Sequence, residues 1–177
     1  MVKQMPLTQG KFALVDDEDF EYLSQWKWSY CGRRAYRHDK YGTPKNLAMH
    51  RVLTNAQPHQ HVDHINLNPL DNRKCNLRLC TRSQNQANVR PRKNTTSKYK
   101  GVSWKTALKR WVVYVTKDGK QNYVGVFKSE EEAALAYNKK ASELFGEFAL
   151  LNIIESPNKQ ESPEYQCGQR TGSRQSP

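Results

Sequence analysis

No run approaching the ~18 apolar residues of a membrane-spanning helix occurs in the 177-residue sequence, so a membrane partner is not expected. The opening Met1-Val2-Lys3-Gln4 lacks the apolar core of a signal peptide, and the expected compartment is the cytoplasm. Cysteine is sparse: Cys31, Cys75, Cys80 and Cys167, with no C-x-x-C pair. Structural zinc on Cys75 and Cys80 with nearby histidines fits that spacing poorly, so reduced thiols are expected. Acidic residues are also few, 17 against 29 Lys and Arg, leaving a net charge of +12. Such an excess calls for a polyanionic partner, with nucleic acid the first candidate. The length suits one medium domain or two small ones.

The stretch from His61 to Val89, HVDHINLNPLDNRKCNLRLCTRSQNQANV, is where the chemistry concentrates. Val62 and Ile65 bracket Asp63 and His64 in a short β-prone run. An Asn-, Pro- and Asp-rich loop from Asn66 to Asn76 turns the chain back. Leu77-Arg78-Leu79 alternates as a half-buried strand, and Thr81 with Gln84 has capping-box spacing at a helix start. Asp63 is a hard oxygen donor, and Asn85, just inside the helix, adds an amide oxygen; so small a protein donor set suits Mg²⁺ or Mn²⁺. Strand alternation sends the His64 side chain to the other side of the backbone, where it serves as a base rather than a ligand. Asn76 is expected to orient the imidazole, through its side-chain oxygen or through the loop.

Met49-His50-Arg51, Val62-Asp63-His64-Ile65, Leu70-Asp71-Asn72-Arg73, Asn76-Leu77-Arg78 and Asn85 together resemble an HNH endonuclease, the ββα-metal fold of phage and intron-encoded homing enzymes. The resemblance covers residues 47–89. It implies a DNA phosphodiesterase with Asp63 and Asn85 as metal ligands, His64 as general base and Asn76 bracing the loop and the histidine. The last motif position, His in many relatives, is Asn here. The resemblance implies cleavage to 5′-phosphate and 3′-hydroxyl ends, and a phage or mobile-element setting would place the protein in a bacterial host cell. His50 and Arg51 belong to the same module as phosphate or structural contacts, outside the catalytic pair. His59 and His61 are read as loop and strand residues within reach of phosphate.

Residues 1–46 read as an α/β extension of the nuclease module, whose core is placed at 47–90. Lys11 to Val15 is strand-like, and Asp16 to Asp19 lead into a helix carrying Phe20, Leu23 and Trp26 on one face. Strands are expected at Trp28–Tyr30 and Ala35–Arg37, a turn at Tyr41–Pro44, and extended chain from Leu47 to His50. Arg33, Arg34 and Arg37 are within reach of phosphate. Residues 91–98 form a basic linker, equally well read as a spacer or as a segment lying along DNA.

From residue 99 the pattern changes to three strand-like runs, with an Asp118-Gly119 hairpin turn. A helix capped by Ser129 follows, with Ala134, Tyr137, Ala141 and Leu144 on one face, and Gly146 stands where it should end. Tyr99-Lys100-Gly101-Val102, Trp111, Val124-Gly125-Val126-Phe127, Glu132-Ala133-Ala134, Ala136-Tyr137-Asn138 and Phe145-Gly146 closely resemble an AP2 (ethylene-response-factor type) DNA-binding domain, over residues 99–153. That resemblance implies a three-stranded sheet in the DNA major groove, although Thr116 and Gln121 stand where plant relatives carry arginines. Residues 91–128 hold ten Lys or Arg and one acid, a local charge of +9. The expected DNA-contacting residues are Arg78, Arg82, Lys98, Lys100, Lys105, Lys109, Arg110, Lys117 and Lys120, with Trp104 and Tyr123 packing on sugars or base edges. Residues 154–177 read as a disordered tail.

The fold expected is α+β: a ββα-metal (HNH) nuclease module followed by a three-stranded antiparallel sheet packed on one helix. The function expected is Mg²⁺- or Mn²⁺-dependent cleavage of double-stranded DNA. The competing reading is a non-cleaving DNA-binding protein that keeps the nuclease part as a scaffold.

Overall fold

The computed structural model describes residues 1–37 and 47–154. The turn expected at Tyr41–Pro44 and the tail from residue 156 onward lie outside the described residues. At the N-terminus β1 (Val2–Pro6) pairs antiparallel with β2 (Phe12–Asp16). The chain then enters α1 (Asp17–Ser24), whose first turn carries three acids where the helix dipole favours negative charge. A hairpin follows, β3 (Ser29–Cys31) and β4 (Arg34–Arg37). Its two connecting residues, Gly32 and Arg33, both have positive φ, 54° and 70°, as a tight hairpin turn demands.

The extended chain expected from Leu47 to His50 lasts only two residues, β5 (Leu47–Ala48), before α2 (Met49–Thr54) begins. Met49 is fully buried, and Asn55 closes α2 in the left-handed conformation. The Arg51 guanidinium holds the next loop by donating to the carbonyls of Ala56, Gln57 and Gln60 at 3.1, 2.7 and 2.8 Å. Ala13, Val15, Leu23, Trp28 and Met49 form the first apolar core. In it the Trp28 indole N–H donates to the Leu23 carbonyl at 2.9 Å, so the one polar atom of a buried ring is satisfied.

The central unit is β6 (His61–His64) paired antiparallel with β7 (Leu77–Cys80), then α3 (Arg82–Ala87). Both arms of the capping box form: Gln84 N–H donates to Thr81 Oγ1, and Thr81 N–H to Gln84 Oε1. The loop between β6 and β7 is tied to the edge of β2. Leu14 N–H donates to Leu70 O and Asn72 N–H to Leu14 O, both at 2.8 Å, and Lys74 N–H donates to an Asp16 carboxylate oxygen at 2.7 Å. The N-terminal strands thus hold the loop that approaches His64.

The C-terminal unit is a three-stranded antiparallel sheet in the order β10 (Lys120–Phe127), β9 (Arg110–Lys117), β8 (Val102–Lys105), with α4 (Glu130–Phe145) on one face. Asp118 and Gly119 make the β9–β10 turn with φ of 51° and 77°. Ser129 Oγ accepts from the N–H groups of Glu131 and Glu132, but its hydroxyl donates to the Glu131 carboxylate, so the reciprocal arm of the box is replaced. Val113, Val115, Ala133, Ala134, Tyr137 and Ala141 form the second core. Gly101, at φ +74°, lies so close to Tyr137 that a Cβ there would fall 2.1 Å from the ring. The segment read as a linker folds partly onto this unit. Ser97 is buried and donates to Glu130 at 2.6 Å, and Thr96 Oγ1 accepts from Trp104 N–H.

Candidate active site and nucleic-acid face

Between the two apolar cores the interior is polar. His50, Asp63, His64, Asp71, Asn72, Asn76 and Asn88 are all buried. Burying so many polar groups together is costly unless they are mutually hydrogen-bonded, and such clusters mark functional sites. Asp63, His64 and Asn85 line one cleft of about 430 Å³, together with Asn88 and the arginines 33, 34 and 90. One wall thus comes from the β3–β4 turn, outside the ββα unit.

Asp63 is held from two sides. Arg78, opposite it on β7, donates through Nε and Nη2 to Asp63 Oδ2 at 2.9 and 2.8 Å. Asn88 Nδ2 reaches both carboxylate oxygens, at 2.9 and 3.0 Å, and the backbone carbonyl of His64 at 3.0 Å. Oδ2 therefore takes three donors and Oδ1 one. A carboxylate offers about four lone-pair positions, and the one left open on Oδ1 belongs to a hard oxygen beside the cleft. Asn85 lines the same cleft, and a carboxylate with an amide is a donor set that suits a divalent ion keeping most of its water. Among the described residues no cluster of three His, Cys, Asp or Glu forms a fuller metal cage. Burial pushes the Cys80 thiol up to about 11.

His64 faces a different set of groups. Its Nε2 lies 3.3 Å from Asn72 Oδ1, and its ring meets the His50 ring edge-on with centroids 5.2 Å apart. Burial lowers the pKa of His64, while the Asn72 hydrogen bond opposes that shift. His50 drops to about 3, chiefly by burial and then by the nearby His64 and Arg34, so it is neutral at physiological pH. A neutral imidazole is the form that can accept a proton.

Asn76 acts on the loop and not on the imidazole. Its Oδ1 accepts from Asn66 N–H at 2.9 Å, and its Nδ2 donates to Asp71 O at 2.7 Å. Asn72, and not Asn76, meets the ring directly, while Asn76 takes the other expected route, through the loop. Asn88, which no motif in the sequence marks, stands at the C-cap of α3 and lines the cleft with Asn85.

Three residues expected on phosphate are committed within the protein. Besides its bond to Asp63, Arg78 donates through Nη1 to Glu147 O at 2.8 Å and stacks over Phe148 at 4.2 Å. Lys100 is partly buried and donates to the carbonyls of Ala87 and Gln86 at the end of α3. Burial pulls its pKa down to about 8. Lys117 donates to Leu144 O at the end of α4 at 3.3 Å, where a cation complements the helix dipole. Register separates the others. Val113 and Val115 face α4, and Trp104, Lys117 and Lys120 alternate onto that same side. Lys105, Arg110, Thr116, Gln121 and Tyr123 pair across the open face, with Lys105, Arg110 and Tyr123 exposed. Arg82, Lys98 and Lys109 are exposed outside the strands.

The cleft brings a carboxylate, an amide and an imidazole together under a rim of arginines. A family model described as HNH endonuclease matches residues 48–87. An uncharacterized HNH endonuclease of Acanthamoeba polyphaga mimivirus is 37% identical over 153 residues, covering 83% of this chain and 78% of that protein. Protein 3.8 of Escherichia phage T7 is 37% identical over 89 residues, 50% of this chain and 73% of that one. No solved structure matches. The chain belongs to the HNH endonuclease family and is a nuclease. Enzymes of this family act on DNA and use a divalent metal ion. Among the described residues no helix is long and apolar enough to cross a membrane.

Proposed function

We propose that this nuclease hydrolyses phosphodiester bonds of double-stranded DNA to 5′-phosphate and 3′-hydroxyl ends, with Asp63 and Asn85 as the protein ligands of Mg²⁺ or Mn²⁺. His64 takes a proton from water, the water oxygen bonds to phosphorus, and the bond from phosphorus to the 3′ oxygen breaks, the departing oxygen taking up a proton from solvent water. The bound ion supplies Lewis-acid stabilisation for the charge that builds on the phosphate. Arg78 and Asn88 keep the Asp63 carboxylate in one orientation, and the arginines at 33, 34 and 90 supply positive charge at the mouth of the cleft. The observation that carries this reading is the shared cleft of Asp63, His64 and Asn85.

The C-terminal unit serves as the targeting domain, an AP2-like sheet read into the major groove through its open face. Lys105, Arg110 and Tyr123 on that face support the assignment, as does a helix confined to the opposite face. Phosphate contacts would set register on the duplex while the cleft meets the scissile bond. Both relatives come from viruses, which fits a phage or mobile-element homing enzyme working in the cytoplasm of a host cell.

Supercoiled plasmid incubated with the protein and Mg²⁺ or Mn²⁺ tests the mechanism. Nicking or linearisation is expected, abolished by EDTA and reduced at least 100-fold in His64→Ala and Asp63→Ala, in keeping with the ~10²–10⁴-fold worth of a general base. Undiminished cleavage by His64→Ala would remove the assigned base. Tight binding without cleavage under every metal condition would leave a DNA-binding protein with a nuclease scaffold.

A further inference from the structure

We infer that Gln121 is a specificity-determining residue: beside Thr116 on the open face of the C-terminal sheet, its carboxamide reads an adenine in the DNA major groove. The recognised sequence then carries an A·T pair on the side of the site facing the cleavage unit. That assignment rests on the open face being the one laid on DNA, as proposed above, and names the base it reads. Strand register places the residues. Gln121 stands directly opposite Thr116 next to the Asp118-Gly119 turn, while Lys105 and Arg110 oppose each other at the far end. All four are exposed. Along β9 the stretch from Arg110 to Thr116 covers about 20 Å at ~3.3 Å per residue, or about six base steps at ~3.4 Å.

The chemistry of the face suits bases as well as phosphate. Its three strands hold no Asp or Glu, so none of their side chains repels a polyanion. Its exposed cations, Lys105 and Arg110, sit together at one end. The other end is neutral, an amide beside a hydroxyl and a methyl. A Gln amide meets adenine in a two-bond contact, accepting from N6 and donating to N7, and a Thr methyl suits the C5-methyl of thymine. Among the described residues no hydrogen bond engages the Gln121 amide or the Thr116 hydroxyl. Asn122, one residue on and turned to the other face, spends its amide on Val115 O at 3.1 Å.

Two contacts put this end of the sheet beside the cleavage unit. Asp118 N–H donates to Ser83 Oγ on α3 at 2.9 Å. Thr116 lines a cavity of about 450 Å³ with Tyr114, Val89 and Arg90, and the last two also line the cleft that holds Asp63 and His64. A duplex engaged in the cleft and continuing past Arg90 therefore meets Thr116 and Gln121 before Lys105 and Arg110.

The test is selection of sites from a randomised duplex pool by the full-length protein in EDTA, with affinities then measured for single-position variants of the winning site. The wild type is expected to select an A·T pair on the flank nearer the cut mapped in Mg²⁺. Gln121→Ala is expected to lose about 10- to 100-fold of the discrimination at that position alone, the scale of one bidentate base contact. Its salt dependence should not change, because a neutral amide releases no counterion. Gln121→Arg is expected to turn the preference there to G·C, since a guanidinium matches O6 and N7 of guanine. A wild type that selects no A·T position, a cut on the opposite flank, or a consensus unaltered in both variants would overturn the inference. If the consensus is unaltered while Lys105→Ala and Arg110→Ala still flatten the salt dependence, the sheet lies on DNA and only the base assignment falls. If those two are silent as well, the placement of the sheet on DNA falls with it.

Discussion

Arg78 and Asp63 face each other across the β6–β7 ribbon, with two guanidinium N–H groups on one carboxylate oxygen, and the far side of the same guanidinium lies on Phe148 of the C-terminal unit. A candidate metal ligand is thus braced by an arginine that is itself braced by the neighbouring unit. Side-chain exposures of 13% and 5% put the pair in a poorly solvated setting. There the charges depend on one another, because neither is well solvated alone.

Removing the arginine should therefore cost more than a surface ion pair. Arg78→Ala is expected to lower stability by about 3 kcal/mol, the scale for breaking one side of a buried pair. Arg78→Lys keeps the charge but loses the planar fork, and should recover only part of that loss. Urea unfolding followed by circular dichroism measures both. A loss below about 0.5 kcal/mol in Arg78→Ala would show that the pair contributes no more than an exposed one.

His50 gives the fold an acid sensitivity. Its pKa is about 3 in the folded protein against an ordinary 6.5, so the unfolded chain takes up a proton long before the folded one does. The folded state is thus favoured in full above pH 6.5 and loses that advantage as pH falls from 6.5 toward 3. One such group contributes a slope approaching 1.4 kcal/mol per pH unit in that window. His50→Leu is expected to flatten stability between pH 6 and pH 4 by about that amount, measured by urea midpoints. His64, also depressed by burial, would supply part of the slope that remains.

Salt dependence of DNA binding separates the lysines. Lys105→Ala and Arg110→Ala should each reduce the slope of log K against log salt by about 1 if they meet phosphates from the open face of the sheet. Lys100→Ala should leave that slope unchanged while lowering stability, since its ammonium serves the carbonyls of Ala87 and Gln86. Fluorescence anisotropy at several salt concentrations provides the comparison. An equal slope change at Lys100 would contradict the inward placement of its ammonium.

Much of the architecture could be read before any coordinates because local rules decided it. The Thr81–Gln84 spacing announced α3, and Asp118-Gly119 announced the β9–β10 turn, since few residues tolerate two successive positive φ angles. A β-prone run marks β6, and alternation marks β7. What it does not encode is which partner a side chain finds on a ribbon with both faces covered. Arg78, expected on DNA, turns toward Asp63. Lys100, expected there too, turns toward the end of α3. The helix α2 was hidden because its six residues are too few to display a helical period, and tertiary burial of Met49 and His50 decides their state. Asn72 and Asn88 were two asparagines among many, and only the folded loop and the end of α3 distinguish them.

The Ala87 carbonyl receives both the Lys100 ammonium and the Leu150 N–H, while Arg78 reaches the Glu147 carbonyl. The two units are consequently grafted together and not strung like beads. Transplanting a foreign recognition sheet onto this cleavage unit by splicing at residues 91–98 would strand Arg78 and expose Ala87. A workable chimera must carry its own counterparts of Phe148, Leu150 and Lys100 across the seam.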